Sequence, residues 1–562
     1  MKTKILIIFS VLIASVACTN LDLNPLAEGS SENWYSTETE IEKALNDLFR
    51  EVFWPKDNDQ WTDDWMFRGE TNAMTAGTVT GETGTVTTQW LNHYKAISRA
   101  IRIIENMDKM EGIIPEEKLK RYEANARFNL ASQYARLITH WGDVPYYNKT
   151  IGLEEAFNTG RTSKEEILQA IYEDYDFAAT YLPISYGSTE NQYATKGAAL
   201  AMKARIALYM GDYDIARDAA SDCMELGVYQ LHPDYRTLFL SSTKNSVESI
   251  FVIPRSVELG SYESNCRYYI TRLAGGFASW IPTFELMAAY LCTDGLPIDE
   301  SPLFNPRNPW ENRDPRWGEV SVEIGTEWLG YIFQPHPDSL TVLNLNTGQV
   351  VSNKDTRAVA AYATFNGLVT KKGVDEDYTV DYTADPDYII IRYADVLLMY
   401  AEAKIELNEI DESVLDAINS VRARAYKVDV TETGSYPAIT TTNQAELRKA
   451  LRVERRMELA LEGLRYMDIV RWRLSEKVLN RPHYGLLDVA LLRERVVNQG
   501  LWFFPGVPEI DEDGCADFTA LYNAGLIKLL SLKSFDKNKN YLWPIPSSEI
   551  LINKNLEQNP GY

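Results

Sequence analysis

Apolar positions recur at helical spacing along much of the chain. Ile41, Ala44, Leu45, Leu48, Phe49 and Val52 predict a helix over 38–53, closed by Pro55. From position 89 the same period predicts consecutive helices over 89–109, 116–140, 163–181, 193–210 and 213–226, joined by turns rich in Gly, Pro, Asn or Asp. Ser163 and Glu166 suit a capping box, and Pro183 follows the far end of that helix. The most regular pair places Ala198, Ala199, Ala201, Ala204 and Ala207 before the turn Gly211-Asp212, and Ala216, Ala219 and Ala220 after it. Small residues let two helices approach closely, and so short a connection forces them antiparallel, as in a tetratricopeptide unit of about 34 residues. A looser copy lies at 393–426, where Ala394, Leu397, Leu398, Ala401 and Ile405 precede Asn408-Glu409, and Val414, Ala417, Ile418 and Val421 follow. A last helical block is predicted over 444–472.

Elsewhere the pattern breaks. Residues 56–88 are irregular, with Trp61 and Trp65 followed by a Gly- and Thr-rich run. Between about 232 and 387, short apolar pieces such as Ser249-Ile250-Phe251-Val252-Ile253 alternate with Pro-rich breaks, predicting loops, short helices and minor strands. The fold class is therefore mostly α: a tetratricopeptide-like helix-pair scaffold with a large loop-rich insertion. Loops carried on a rigid scaffold are where binding chemistry is usually placed.

The amino-terminal pattern is different again. Lys2 and Lys4 precede an apolar run over 5–13, then Ala14-Ser15-Val16-Ala17 and Cys18. That order predicts a signal segment over 1–17 and a lipid-bearing Cys18, with 18–31 as a lipidated tether. The apolar run is too short to cross a hydrocarbon core, which takes about 20 residues. The expected attachment is thus by lipid, and a diacylglyceryl-modified cysteine holds where a single acyl chain does not.

Composition sharpens the picture. Aromatics make up 11% of the chain, with 13 Trp and 33 Tyr, so some rings are expected to face solvent. The net charge of −24 argues against nucleic acid or an anionic membrane surface as partner and fits neutral or cationic ligands better. Cys223, Cys266, Cys292 and Cys515 show no paired spacing, and the five histidines form no metal-binding pair, so no cofactor or metal is expected. The acidic loop Asp511-Glu512-Asp513 leaves a structural calcium open.

The stretch from Arg452 through Trp472, including Arg455-Arg456-Met457-Glu458 and Gly463-Leu464-Arg465-Tyr466-Met467-Asp468, resembles the SusD/RagB family of Bacteroidetes outer-membrane lipoproteins. The closing stretch, Tyr541-Leu542-Trp543-Pro544-Ile545-Pro546 through Asn559-Pro560-Gly561-Tyr562, is similar to that family's ending. Trp141-Gly142-Asp143-Val144-Pro145, Gly160-Arg161-Thr162-Ser163, Thr293-Asp294-Gly295 and Ile391-Arg392-Tyr393-Ala394-Asp395 extend the likeness over nearly the whole mature chain.

The resemblance implies an amino-terminal SusD-like helical region over 32–230, a loop-rich ligand-binding region over 231–390 and a carboxy-terminal RagB/SusD region over 391–562, together one compact unit. It also implies a lipid-anchored, outward-facing protein of the outer membrane. Such a protein binds glycan without cleaving it and hands it to a SusC-like TonB-dependent transporter. Sugars offer C–H faces to aromatic rings and hydroxyls to polar side chains at the ring edges. Trp61, Asp63, Asp64, Trp65, Arg68, Glu70, Asn72 and Trp90 form the densest candidate cluster, and Trp280, Trp310, Trp317, Trp328 and Tyr331 a second. Trp141, Trp472 and Trp543 lie in framework motifs and are assigned to packing.

Alternatives within reach are capture of peptides or other nutrients, a scaffold that binds only protein, and a surface hydrolase. Glu458 and Glu462 would be the hydrolase's carboxyl pair. The neighbouring arginines, however, would hold both groups ionised, whereas a general acid needs a raised pKa.

Overall fold

The computed structural model describes residues 34–187 and 190–562. The signal segment, Cys18 and the tether to residue 31 lie outside the described residues. Ten helices carry the frame: α1 Glu38–Leu48, α2 Gly84–Glu105, α3 Glu116–Trp141, α4 Lys164–Tyr181, α5 Lys196–Met210, α6 Tyr213–Glu225, α7 Tyr393–Glu406, α8 Glu412–Tyr426, α9 Gln444–Glu458 and α10 Arg465–Arg471. Their starts follow local chemistry. Thr37 and Glu40 form a reciprocal capping box at α1, while Ser163, Thr195, Asp411 and Asn443 each accept a backbone N–H at α4, α5, α8 and α9. Gly211, at φ 87°, ends α5 in the left-handed conformation that glycine tolerates best.

Consecutive helices pack as pairs, α3 on α4, α5 on α6 and α7 on α8, and α7 also lies against α6, joining the looser pair to the regular one. The predicted small residues are the contact: Ala198, Ala199, Ala201, Ala204, Ala207, Ala216, Ala219 and Ala220 are all buried. The block predicted as one helix over 444–472 is two. The chain turns between α9 and α10 through Leu461 at φ 60° and Gly463 at φ 78°. A Cβ on Gly463 would stand 2.6 Å from the carbonyl oxygen of Asp57, so only glycine fits that approach.

Strands are short and few: β1 Trp65–Phe67, β2 Ser249–Ile253, β3 Trp280–Pro282, β4 Glu327–Trp328, β5 Tyr331–Ile332, β6 Thr341–Asn344, β7 Gln349–Ser352 and β8 Tyr388–Arg392. β1 pairs antiparallel with β3, β2 with β8, and β4 to β7 form a four-stranded sheet within the loop-rich region. Four further strand segments form two antiparallel pairs near the carboxy terminus.

The quoted framework motifs meet in one place. Trp141 is fully buried, and its indole N–H donates to the carbonyl of Pro544 at 2.9 Å. Trp543 donates its indole N–H to the Tyr466 hydroxyl at 2.9 Å and its backbone N–H to the His140 carbonyl at 2.7 Å. Asn559 bridges the carbonyls of Trp141 and Trp543 at 2.8 and 2.7 Å, and Arg161 donates to the Asn559 side chain at 2.7 Å. These motifs therefore close the helical half of the molecule with the far end of the chain.

The second framework device is a buried ion network at the end of α9. Arg392 donates to Glu248, Glu458 and Glu462 at 2.6, 2.6 and 2.7 Å. Arg316 reaches Glu454 at 2.6 Å and Glu458 at 2.9 Å, Arg424 reaches Glu248 at 2.9 Å and also bonds Glu458, and Arg422 bonds Glu454 at 2.9 Å. On α9's other faces, Arg455 meets Asp395 and Asp468, and Arg456 meets Asp63 and Asp64. Burial alone would raise the Glu458 carboxyl, but Arg424, Arg392 and Arg316 together hold it well below the usual carboxylate range. A group so fixed is an anion at any working pH and has no proton to give.

Cys223, Cys266, Cys292 and Cys515 are buried and unpaired. The acidic loop is neutralised from within: Arg481 meets Asp511 at 3.0 Å, Arg452 meets Asp513 at 3.4 Å, and Lys477 lies against all three acids. Among the described residues no helix is long and apolar enough to cross a membrane.

Two outcomes follow from the network. Glu458→Gln leaves three guanidiniums short of a counter-charge in the interior, and chemical denaturation should show a loss of about 3–5 kcal/mol. Asp395, buried against Arg205 and Arg455, has its pKa lowered from 3.8 to about 2. Because the folded value is depressed, its contribution of about 2 kcal/mol is present above pH 4 and lost as pH falls from about 4 to about 2. Stability measured by urea unfolding should fall less steeply through that window in Asp395→Asn than in the wild type. Equal slopes would contradict this.

Candidate carbohydrate-contact surface

The pairing of β1 with β3 builds the site. Its register sets Trp65 opposite Pro282, Met66 opposite Ile281 and Phe67 opposite Trp280. The pairing is anchored just outside: Thr283 donates its hydroxyl to the carbonyl of Asp63 at 2.5 Å and its N–H to that of Asp64 at 3.1 Å. The side chains of Asp63 and Asp64 are in turn held by Arg456 and Arg465. β1 therefore stands on the ion network.

Trp65 and Trp280 meet edge to face at 5.3 Å, and Tyr269 stacks on Trp65 at 5.4 Å. Thr370 locks them, accepting from the Trp65 indole at 3.1 Å and donating to the Trp280 carbonyl at 3.0 Å. Tyr268 stacks on the other side of Trp280 at 4.8 Å, with Phe277 and Phe67 against Tyr268 at 5.6 and 6.3 Å. Trp280, Tyr268, Phe277 and Phe67 are half-buried, and Tyr362 beside them is 62% exposed. The result is a continuous aromatic surface on a fixed base.

The turn after β1 shapes its rim. Arg68 takes φ 47° and Gly69 φ 77°, a left-handed pair that costs a non-glycine residue about 1–2 kcal/mol. The surroundings hold it there: the Arg68 N–H donates to the Ser279 carbonyl at 2.9 Å, and its Nη2 donates to the Phe277 carbonyl at 2.9 Å. So placed, the guanidinium lies 5.4 Å from the centre of the Tyr362 ring.

Behind the aromatic surface lies a cavity of about 390 Å³, lined by Trp65, Tyr269, Trp280 and Tyr378 on one side and by Glu51, Lys56, Asp59, Arg255, Lys372 and Tyr388 on the other. Its charges are tuned by enclosure. Burial pushes the Lys56 and Lys372 ammonium groups each down to about 8, against the pull of Glu462. Burial, reinforced by Asp64, pushes the Asp59 carboxyl up to about 8, against the bond from the Gly463 N–H. Asp59 Oδ1 is buried with no hydrogen-bond partner, which leaves one oxygen for a guest hydroxyl or a water.

The two sequence clusters are reassorted by folding. Trp65, Arg68 and Trp280 come together, and Glu70 is exposed on the same turn. Trp61 packs on Trp543 and Tyr466 at 5.4 and 5.6 Å, and Trp90 packs on Trp141 at 5.6 Å. Both are interior residues. Asp63 and Asp64 are consumed by arginines, and Asn72 closes its own turn, accepting from Met74 and Thr75 and donating to the Gln60 carbonyl. Trp317 is fully buried with Trp310 stacked on it at 5.9 Å, and Trp328 is buried beneath Arg236. Tyr331 lies apart on β5, half-buried and bonded by Asn344 at 3.4 Å. For Trp61, Trp90, Trp317, Trp328 and the two aspartates, proximity in sequence reflected shared packing instead of a shared surface.

Tyr268, Tyr269, Phe277, Tyr362 and Tyr378 belong to neither sequence cluster, because both clusters are centred on tryptophan. The dense run Tyr262 to Trp280, with Arg267-Tyr268-Tyr269 at its middle, was the available signal.

Comparison with known proteins gives a consistent picture. Residues 21–208 match a family profile described as starch-binding, associating with outer membrane, and residues 247–562 match that of the SusD family. The SusD-like protein P2 of Formosa agariphila is 24% identical, over 98% of each chain, and a SusD-like protein of Bacteroides ovatus is 23% identical over 85% of this chain and 84% of that one. A SusD-like carbohydrate-binding protein of Bacteroides fragilis superposes with a TM-score of 0.76 at 27% identity, over 93% of this chain and all of that one. A laminarin-binding SusD-like protein superposes at 0.63 with 18% identity, over 94% of this chain and all of that one. With one profile matching more than half of the sequence and an overall fold shared with solved relatives, this chain belongs to the SusD family.

Proposed function

We propose that the protein captures oligo- or polysaccharide on the aromatic surface around Trp280 and hands it to a TonB-dependent transporter in the outer membrane, to which it is held by lipid on Cys18. The observation that carries this reading is the half-exposed cluster in which Tyr268 stacks on Trp280 and Tyr269 meets it edge-on, with Trp280 tied to Trp65 through Thr370. Rigid rings presented together suit the C–H faces of successive sugar units, and they lose little entropy on binding. The cavity behind them supplies polar edges for hydroxyls, with Asp59 retaining an unused oxygen. The Bacteroides fragilis relative, described as carbohydrate-binding, supports the same ligand class.

Cleavage is not part of this role. The carboxyl pair Glu458 and Glu462 is buried and ion-paired with Arg392, remote in chemistry from an acid and base flanking a substrate.

Calorimetry against a polysaccharide panel tests the proposal. Trp280→Ala should weaken binding by about 2 kcal/mol, roughly thirtyfold, as expected for a central aromatic anchor. Wild-type protein that binds no glycan but does bind peptides would instead favour the peptide-capture alternative. Cys18→Ala should release the protein from the membrane fraction and impair uptake by cells, with ligand affinity in solution unchanged. A variant still sedimenting with membranes would refute the lipid tether.

A further inference from the structure

We infer that the aromatic surface takes an acidic glycan, one bearing carboxylate or sulfate groups, and that Arg68, Arg267 and Arg272 recognise its charge. This rests on the carbohydrate reading above and narrows it.

The chain has 80 acidic residues against 56 Lys and Arg, so an arginine without a carboxylate partner is unexpected. Most of the described arginines are ion-paired. Among the described residues, Arg102, Arg161, Arg307, Arg313, Arg473 and Arg495 are scattered arginines with no carboxylate within 4 Å, whereas three others without one, Arg68, Arg267 and Arg272, belong to one patch. Arg68 lies over Tyr362 and Phe67, at 5.4 and 5.9 Å from the ring centres. Arg267 is exposed and lies 4.2 Å over Tyr382 and 5.1 Å over Phe277. Arg272 is close enough to Arg68 to depress its basicity, after the larger effect of burial. The Nε atoms of Arg68 and Arg272 are both buried without a hydrogen-bond partner.

Arg68 and Arg272 repel each other with no counter-ion within ion-pair distance, and their buried unpaired Nε–H groups add a further cost. A bound anion relieves both. Stacking takes up one face of the Arg68 and Arg267 guanidiniums; Arg68 has Nη2 committed to the Phe277 carbonyl, and the remaining N–H groups of the two planes suit the oxygens of a carboxylate or sulfate. The acids nearby do not fill this role. Glu70 faces Arg68 from the exposed turn beyond ion-pair distance, and Asp355 is buried and held by the backbone N–H groups of Arg272 and Leu273 at 2.8 and 3.3 Å.

The net charge of −24 favoured neutral or cationic ligands, but that sum runs over the whole surface. At physiological salt, charges more than about 8–10 Å away are largely screened. A ligand at the patch responds to the three arginines beside it.

The test is calorimetry with three oligosaccharides of matched length: oligogalacturonate for carboxylate, a κ-carrageenan oligosaccharide for sulfate, and a laminarin oligosaccharide as the neutral reference. At least one charged oligosaccharide should bind about tenfold or more tighter than the neutral one, and added salt should weaken it. Which charged arm binds identifies the anion. Arg68→Gln combined with Arg272→Gln should collapse that preference, and Arg68→Lys, which keeps charge but loses the fork, should reduce it partly. Arg267→Gln, at an exposed side chain without hydrogen bonds, carries the same test should the double variant not fold. Binding of the neutral oligosaccharide alone, or equal affinity for charged and neutral ligands, overturns the inference and leaves the carbohydrate reading standing. No binding by any of the three, or by any member of the wider panel, overturns both.

Discussion

The interaction on which the rest depends is the pairing of Arg392 with Glu458 and its neighbours at the end of α9. A charge taken into the interior costs several kcal/mol in lost hydration, and only near-complete pairing offsets it. Glu454, Arg455, Arg456 and Glu458 fall within little more than one helical turn, yet between them they reach several separate segments. Glu454 and Glu458 receive arginines from the loop-rich region and from α8, Arg455 reaches Asp395 on α7, and Arg456 reaches Asp63 and Asp64 ahead of β1. No one of these pairings is satisfied unless the segment carrying its partner is in place. The network specifies the arrangement of distant segments more than it adds stability.

The site inherits that specification. The aspartates clamped by Arg456 and Arg465 lead directly into β1, and Glu462, held by Arg392 and Lys372, lines the floor of the cavity. Trp280 can remain half-exposed, with a strained Arg68 at its edge, because the strands beneath it are fixed by charges and not by their own three-residue pairing. Three hydrogen-bonded residues of antiparallel strand would not hold alone.

The helices were legible because a period of 3.6 residues repeats over many turns, so the ends of α3, α4, α5 and α6 fall within a few residues of those read from Ala, Leu and cap positions. The break between α9 and α10 was not, since Leu459 and Ala460 continue the apolar stripe and only the tertiary approach of Asp57 to Gly463 forces the turn. The surface was half legible. Trp65, Arg68 and Trp280 were singled out, but Trp61 and Trp90 carry the same local signature and differ only in what lies across from them, Trp543 and Trp141. Pairing of β1 with β3 joins segments on opposite sides of helices α2 to α6, and nothing in either short run announces its partner. Charge misled for a similar reason: a total carries no information about which arginines are left without a carboxylate.

The knot of Trp141, Trp543 and Asn559 has a consequence for the order in which the molecule is made. Residues bonded there lie 403 and 418 positions apart. A chain built from its amino end completes α1 to α6 long before the segment that seals Trp141 exists. During that interval the aromatic interior around Trp90, Trp141 and His140 lacks its cover, and the early helices cannot settle into their finished packing. Late closure of this kind makes the final packing of the amino-terminal helices depend on residues made almost last.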